Sequence, residues 1–276
     1  MNPVDYDYLC EFLLKSSGLS LGANKEYLLE ARLIPLAQSW SLGGVEELVS
    51  VLQLGGDARL AFAVTEAMTT NETSFFRDKN PFDEMRNILI PSLLSSQDSQ
   101  KKLRIWCAAC STGQEPYSIL MLLKESFPEL ANWDVQIVAT DLSQEALDKA
   151  NAGIYSQFEV QRGLPIQLLM SYFEQVEQGW KIKIEMSRAI SWRPVNLLDD
   201  LSHFGKFDII FCRNVLIYFD QDKKLEIMER LSRQMHQDSF LLLGAAETAL
   251  GLSDRFRRFT ECSSAVYVPT SRVPAT

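Results

Sequence analysis

From residue 101 onward, short apolar runs alternate with helical patterns, and that alternation restricts the fold more than any other feature of the chain. "KLRIWCAA" is followed by "EPYSILMLLKESF", "VQIVATD" by "SQEALDKANAG", and later "FDIIFCRN" by "DQDKKLEIMERLSRQM" and "SFLLLGAAE". Continuous apolar strands separated by helices predict βαβ units, with a parallel sheet covered on both faces. One stretch breaks the rule. "GWKIKIEMSRAISWRPVNLL" alternates apolar and polar residues, which predicts a small antiparallel element in place of a crossover helix.

The first part of the chain reads differently. In "PVDYDYLCEFLLKSSG", Leu9, Phe12 and Leu13 share a helical face and Gly18 supplies a stop. "NKEYLLEARLIPLAQSW" can take Asn24 as its cap and ends before Gly43 and Gly44; "VEELVSVLQ" stops at Gly55 and Gly56; "ARLAFAVTEAM" completes the set. These patterns predict a helical domain over residues 1–75. A linker helix over 76–100 follows, with Asn80 as cap, Pro81 in the first helical position and the polar "SSQDSQKK" at its end. Residues 101–276 form the α/β domain, with the β element at about 166–195.

A hydrophobic fraction of 46% in 276 residues is ample for packed cores. The net charge of -9 argues against non-specific binding to nucleic acid or anionic membranes. No apolar run approaches the roughly 18 residues of a spanning helix, and "MNPVDYDYLCEF" is acidic where a signal peptide would be basic, so a cytosolic protein is expected. The five cysteines are odd in number and lie mostly in apolar runs, as reduced buried thiols do. "WCAAC" has redox-pair spacing, but Cys107 still belongs to the strand pattern and "STGQEP" separates the pair from the helix. Neither His203 nor His236 completes a metal set, so no metal is expected.

In an open α/β sheet, ligands bind beyond the carboxyl ends of the strands at the switch point. Three such ends carry informative residues. "AACSTGQEPYS" offers Ala108, Ala109, Ser111 and Gly113, small enough for a ligand to approach the backbone, without a G-x-G-x-x-G turn. "ATDLS" ends a strand on Asp141, which can accept both hydroxyls of a ribose. "FCRNVLIYFD" places an arginine and an asparagine at a strand end ahead of Tyr218. Together these suit an adenosine-bearing ligand. A nicotinamide-dependent oxidoreductase, and a cofactor-binding adaptor without transfer activity, remain open on this reading alone.

With "TTNETSFFRD" ahead of them and "NLL" between, these motifs occur in the order and spacing of a known family. "TTNETSFFRD", "WCAACSTGQEPYS", "ATDLS", "NLL" and "FDIIFCRNVLIYFD" closely resemble the chemoreceptor glutamate O-methyltransferases of bacterial chemotaxis, and the resemblance covers nearly the whole chain. It implies a helical domain ahead of a Rossmann-like S-adenosylmethionine-dependent methyltransferase domain with a β insertion. It also implies a monomer that acts on glutamates in the cytoplasmic helical region of transmembrane receptors and releases S-adenosylhomocysteine. By this resemblance, Asn71, Thr73, Arg77, Glu115, Asp141, Asn196, Leu197, Arg213 and Asn214 bind the cofactor, with Asp141 on the ribose and Asn196 and Leu197 on the adenine side. Arg77 and Tyr218 are the expected catalytic pair. Gln114 stands where an acidic residue is common in the family, and the chain stops soon after "SSAVYVP", so no appended domain is expected.

Overall fold

The computed structural model describes residues 1–22, 24–55, 57–97 and 101–272, which divide into two compact units. One holds Met1–Thr70 together with Tyr218–Lys223; the other holds Asn71–Ile217 and Lys224–Thr276. The stretch beginning at Asn71 therefore packs with the larger unit.

The smaller unit contains four helices: α1 (Pro3–Ser17), α2 (Glu26–Ser39), α3 (Val45–Gln53) and α4 (Ala58–Ala67). Leu9 and Leu13, Leu29 and Leu33, Leu48 and Val49, and Leu60 and Val64 point inward at helical spacing and form one apolar cluster. Each such side chain contributes about 1.5–3 kcal/mol on burial. Gly18 does stop α1, in a left-handed conformation with its N–H on the Leu14 carbonyl. Asn24 does not cap α2. That helix starts at Glu26 after Lys25, while Asn24 sits at a φ of 62°. Arg32 anchors the end of the unit by donating to the Thr69 carbonyl at 2.6 Å and the Thr70 hydroxyl at 3.0 Å. Ser20 N–H donates to the Tyr218 carbonyl at 3.0 Å, which ties the Tyr218–Lys223 stretch to this unit. Gly56 lies outside the described residues.

The larger unit opens with α5 (Asn80–Glu84), a π-helical turn (Met85–Leu89) and α6 (Ile90–Gln97). Asn80 is itself the first helical residue and Lys79 holds the cap position, one residue away from the expected start. The π turn ends just before Pro91, which has no N–H to donate and whose ring crowds the preceding turn. Asp98, Ser99 and Gln100 of the expected linker lie outside the described residues.

Then come β1 (Lys102–Ala108), α7 (Gln114–Ser126), β2 (Asp134–Asp141), α8 (Gln144–Ala152), β3 (Ile154–Tyr155), α9 (Gln157–Gln161), α10 (Ile166–Tyr172), β4 (Phe173–Val176) and β5 (Gly179–Ile182). The chain continues through α11 (Ile184–Arg188), β6 (Ile190–Pro194), β7 (Phe207–Cys212), α12 (Gln221–Arg233), β8 (Met235–Leu243), β9 (Phe256–Arg258) and β10 (Val266–Pro269). The seven-stranded sheet has the order β6-β2-β1-β7-β8-β10-β9. Its first five strands are parallel, and β10 and β9 are antiparallel additions. This is the expected α/β methyltransferase-type architecture.

The antiparallel element departs from the expected range. The three-stranded sheet runs β3-β5-β4, so it recruits Ile154–Tyr155 from ahead of residue 166. "ISWRP" instead forms β6, a parallel edge strand of the main sheet whose Ile190 pairs with Ile137 and whose Pro194 pairs with Asp141. An edge strand exposed on one side shows the same alternation as a hairpin strand, which is why the pattern misassigned it.

Candidate functional site

The chain leaves β1 in one direction to reach β2 and in the other to reach β7, so the switch point lies beyond the carboxyl end of β1. There the backbone takes an unusual course. Ala109 and Ser111 have φ of 60° and 51°, and Gly113 has 92°. Glycine is required at 113 for a second reason: a Cβ there would lie 2.8 Å from the Ala150 Cβ. The turn is fastened to β2. Cys110 N–H donates to the Thr140 carbonyl at 2.9 Å, and Ser111 N–H to Asp141 Oδ2 at 2.7 Å. Asp141 Oδ1 also accepts the Ser143 N–H at 3.0 Å.

The turn delivers Glu115 to the first turn of α7, where the partial positive charge of the helix start favours an anion. Glu115 is buried, and burial raises its carboxyl above the usual range while the Arg213 guanidinium pulls it back down. Arg213 follows the end of β7. Its Nη1 donates to Glu115 Oε2 at 2.8 Å, and its Nη2 donates to Asp78 Oδ2 at 2.8 Å and to the Arg77 carbonyl at 2.9 Å. Its Nε is buried and has no hydrogen-bond partner among the described residues.

The segment from Asn71 to Asp78 is built as a strap over this corner. Phe75 is fully buried, edge-on to Tyr155 at 5.1 Å and to Phe173 at 5.7 Å. Its carbonyl lies so close to Gly163 that a Cβ there would sit 2.1 Å away. Phe76 N–H donates to the Ser118 hydroxyl at 3.0 Å, and its ring packs on Phe82 at 5.2 Å. The Asn71 carbonyl accepts the Ser111 hydroxyl at 2.7 Å. Glu72 pairs with Arg162 at 2.7 Å, and its carbonyl accepts Arg77 Nη1 at 3.0 Å.

Asn71, Arg77, Glu115, Asp141, Arg213 and Asn214 are thus gathered at the ends of β1, β2 and β7, and Thr73 lies half-buried in the same strap. Asn196 and Leu197 follow β6 beside Asp141, whose carbonyl accepts the Val195 N–H at 2.8 Å. Asn196 turns its Oδ1 onto the Leu198 N–H at 3.0 Å, and Leu197 is buried. Tyr218 is half-buried in the turn after Leu216, and its residue groups with the smaller compact unit.

Sequence reasoning missed two acids. Asp78 closes the quoted strap motif but was given no partner, and Arg213 is that partner. Glu247 was passed over altogether, although it accepts the N–H groups of Asn214, Val215, Leu216 and Gly244. The available signal was "GAAE": an acid three residues beyond a glycine at a strand end, placed to turn back onto the backbone.

The donor set fits an adenosine ligand with a zwitterionic tail. A strand-end carboxylate suits ribose hydroxyls, and a buried arginine with an unused nitrogen beside carboxylates suits an amino-acid end. No described helix is long and apolar enough to cross a membrane. Residues 71–265 match the family model described as "CheR methyltransferase, SAM binding domain". The chain is 40% identical over 256 residues to "Chemotaxis protein methyltransferase 1" of Vibrio cholerae, covering 91% of this chain and 92% of that one. It is 40% identical over 270 residues to "Chemotaxis protein methyltransferase 1" of Pseudomonas aeruginosa, covering 95% and 96%. It is 33% identical over 250 residues to "Chemotaxis protein methyltransferase" of Borreliella burgdorferi, covering 88% and 87%. On these grounds the chain belongs to the CheR family of S-adenosylmethionine-dependent methyltransferases.

Proposed function

We propose that this protein methylates glutamate side chains in the cytoplasmic helical region of transmembrane chemotaxis receptors, acting as a monomer in the cytoplasm. The observation that carries the reading is the buried Glu115–Arg213 pair, extended to the exposed Asp78, beside the strand-end Asp141, in a chain of this family. Asp141 would hold the ribose, Asn196 and Leu197 the adenine side, and Glu115, Arg213 and Asn214, with Asn71 and Thr73 of the strap, the amino-acid end.

S-adenosylmethionine supplies a methyl group on a sulfonium, an excellent leaving group. A substrate glutamate is ionised at pH 7 and is already a nucleophile, so no general base is needed. The new bond joins a carboxylate oxygen to the methyl carbon as the carbon–sulfur bond breaks, and no proton moves. What remains for the protein is alignment, worth on the order of 7 kcal/mol or more in favourable cases. Arg77 keeps one nitrogen on the Glu72 carbonyl, which leaves the rest of its fork to orient the acceptor carboxylate. The Tyr218 hydroxyl is assigned the second contact, near the methyl. Mass-spectrometric mapping after incubation with S-adenosylmethionine and a receptor cytoplasmic fragment tests the reading: methyl groups are expected on glutamate side chains, and methylation confined to lysine or to other proteins would overturn it.

A further inference from the structure

The turn after β7 carries Arg213 and Asn214 and reverses direction with Asn214 at a φ of 58°. Three successive N–H groups, those of Asn214, Val215 and Leu216, then point the same way and have no strand to pair with. Such a concave row of donors needs an anion or water to satisfy it. Here it closes on a carboxylate of the chain itself. Glu247 Oε2 accepts Asn214 N–H at 2.8 Å and Gly244 N–H at 2.6 Å, and its Oε1 accepts Val215 N–H at 2.9 Å and Leu216 N–H at 2.7 Å.

Glu247 is 8% exposed, and none of the described salt bridges involves it. A buried carboxylate is tolerated only when hydrogen-bonded on both oxygens, and two N–H donors per oxygen meet that condition. The packing behind it leaves no slack. A Cβ at Gly244 would lie 2.7 Å from Glu247 Oε2 and 2.8 Å from both the Asn214 N and the Asn214 Nδ2. The ends of β7 and β8 are therefore locked together through one side chain, next to the buried Arg213.

We propose that Glu247 is a positioning residue for the cofactor site: by gathering the N–H groups of residues 214–216 it fixes the turn in a ligand-ready shape before the cofactor arrives. The inference rests on the assignment of Arg213 and Asn214 to the cofactor. It makes Glu247 a residue that touches no ligand and yet sets affinity, because a turn that must order on binding lowers apparent affinity by the fraction of molecules already in the competent shape.

Two substitutions reach the turn by different routes. Glu247→Gln keeps the shape but sets an NH2 group against two N–H donors. Gly244→Ala keeps the charge and crowds both the Glu247 carboxylate and Asn214. Val268→Ala, a fully buried change in β10, serves as the destabilised control. For each, melting temperature is measured alongside the dissociation constant for S-adenosylhomocysteine by calorimetry. We expect the dissociation constant to rise tenfold or more for Glu247→Gln and for Gly244→Ala, and to stay within twofold for Val268→Ala. Should Glu247→Gln not fold, Gly244→Ala carries the test. Dissociation constants within twofold of the parent, with lowered melting temperatures only, would overturn the proposal and leave Glu247 a fold residue. Receptor methylation by the parent is assayed separately, so failure of the substrate reading registers without touching this comparison.

Discussion

Arg213 Nη1 meets the buried Glu115 carboxylate at 2.8 Å and joins the end of β7 to the first turn of α7. Removing one partner of such a pair leaves an uncompensated buried charge, at a cost of about 3–5 kcal/mol. Arg213→Met should therefore lose stability of that order at pH 8. The loss should shrink with acidity, because burial raises the folded-state carboxyl of Glu115 above its ordinary value of 4.5. For a raised carboxyl, the favourable contribution is complete below the unfolded value and is lost as pH rises through the folded one. Urea unfolding at pH 5 and pH 8 checks this, and the variant's deficit should be the larger at pH 8.

Asp141 serves the fold and the proposed ribose contact with the same two oxygens. Asp141→Ala removes acceptors for Ser111 and Ser143 N–H as well as for the ribose hydroxyls. Each charge-assisted bond contributes about 1.5–3 kcal/mol. We expect S-adenosylhomocysteine affinity to fall by an order of magnitude or more and the melting temperature to drop with it. Unchanged affinity in a folded variant would place the ribose elsewhere.

The strap separates anchoring from chemistry, and its two rings share the anchoring unequally. Phe75 is the fully buried ring, while Phe76 is only partly buried against Phe82. Phe75→Ala should cost about 3–5 kcal/mol, and Phe76→Ala clearly less. Arg77→Lys keeps the charge but loses the planar fork, so methyl transfer should fall steeply while the melting temperature barely moves. Thermal unfolding and single-turnover methylation on the three variants check both halves.

How far these features could be read in advance follows from the kind of physics each involves. The parallel strands announced themselves because β1 and β7 are buried on both faces and are spelled as unbroken apolar runs. Asp141 and Arg213 were legible because a polar residue at the end of such a run stands out. Asn24 was misplaced because a cap is decided by local backbone geometry, here a positive φ, which the letters do not encode. Ile190–Pro194 was misread because an edge strand and a hairpin strand alternate alike. Glu247 was hard to read for another reason: apart from the nearby Gly244, its partners are backbone N–H groups more than 30 residues earlier in the chain, and only the "GAAE" turn hints at them.

The thiols give a test of the redox alternative. Burial pushes Cys107, Cys110 and Cys212 well above the ordinary thiol range, and Cys262 up to about 12. At pH 8 these four should stay unreactive toward a disulfide reagent in the folded protein, leaving the half-buried Cys10 as the reactive thiol, and all five should react in denaturant. A fast-reacting Cys107 or Cys110 in the native state would contradict the packing role assigned to the pair.

Receptor glutamate methylation is tested by following tritium from methyl-labelled S-adenosylmethionine into a chemoreceptor cytoplasmic fragment. A methyl ester of glutamate is cleaved by mild alkali to volatile methanol, whereas a methylated amine is not. Label is expected on the receptor, released by alkali and falling sharply with Arg77→Lys. Absence of label, or label that survives alkali, would contradict glutamate methylation.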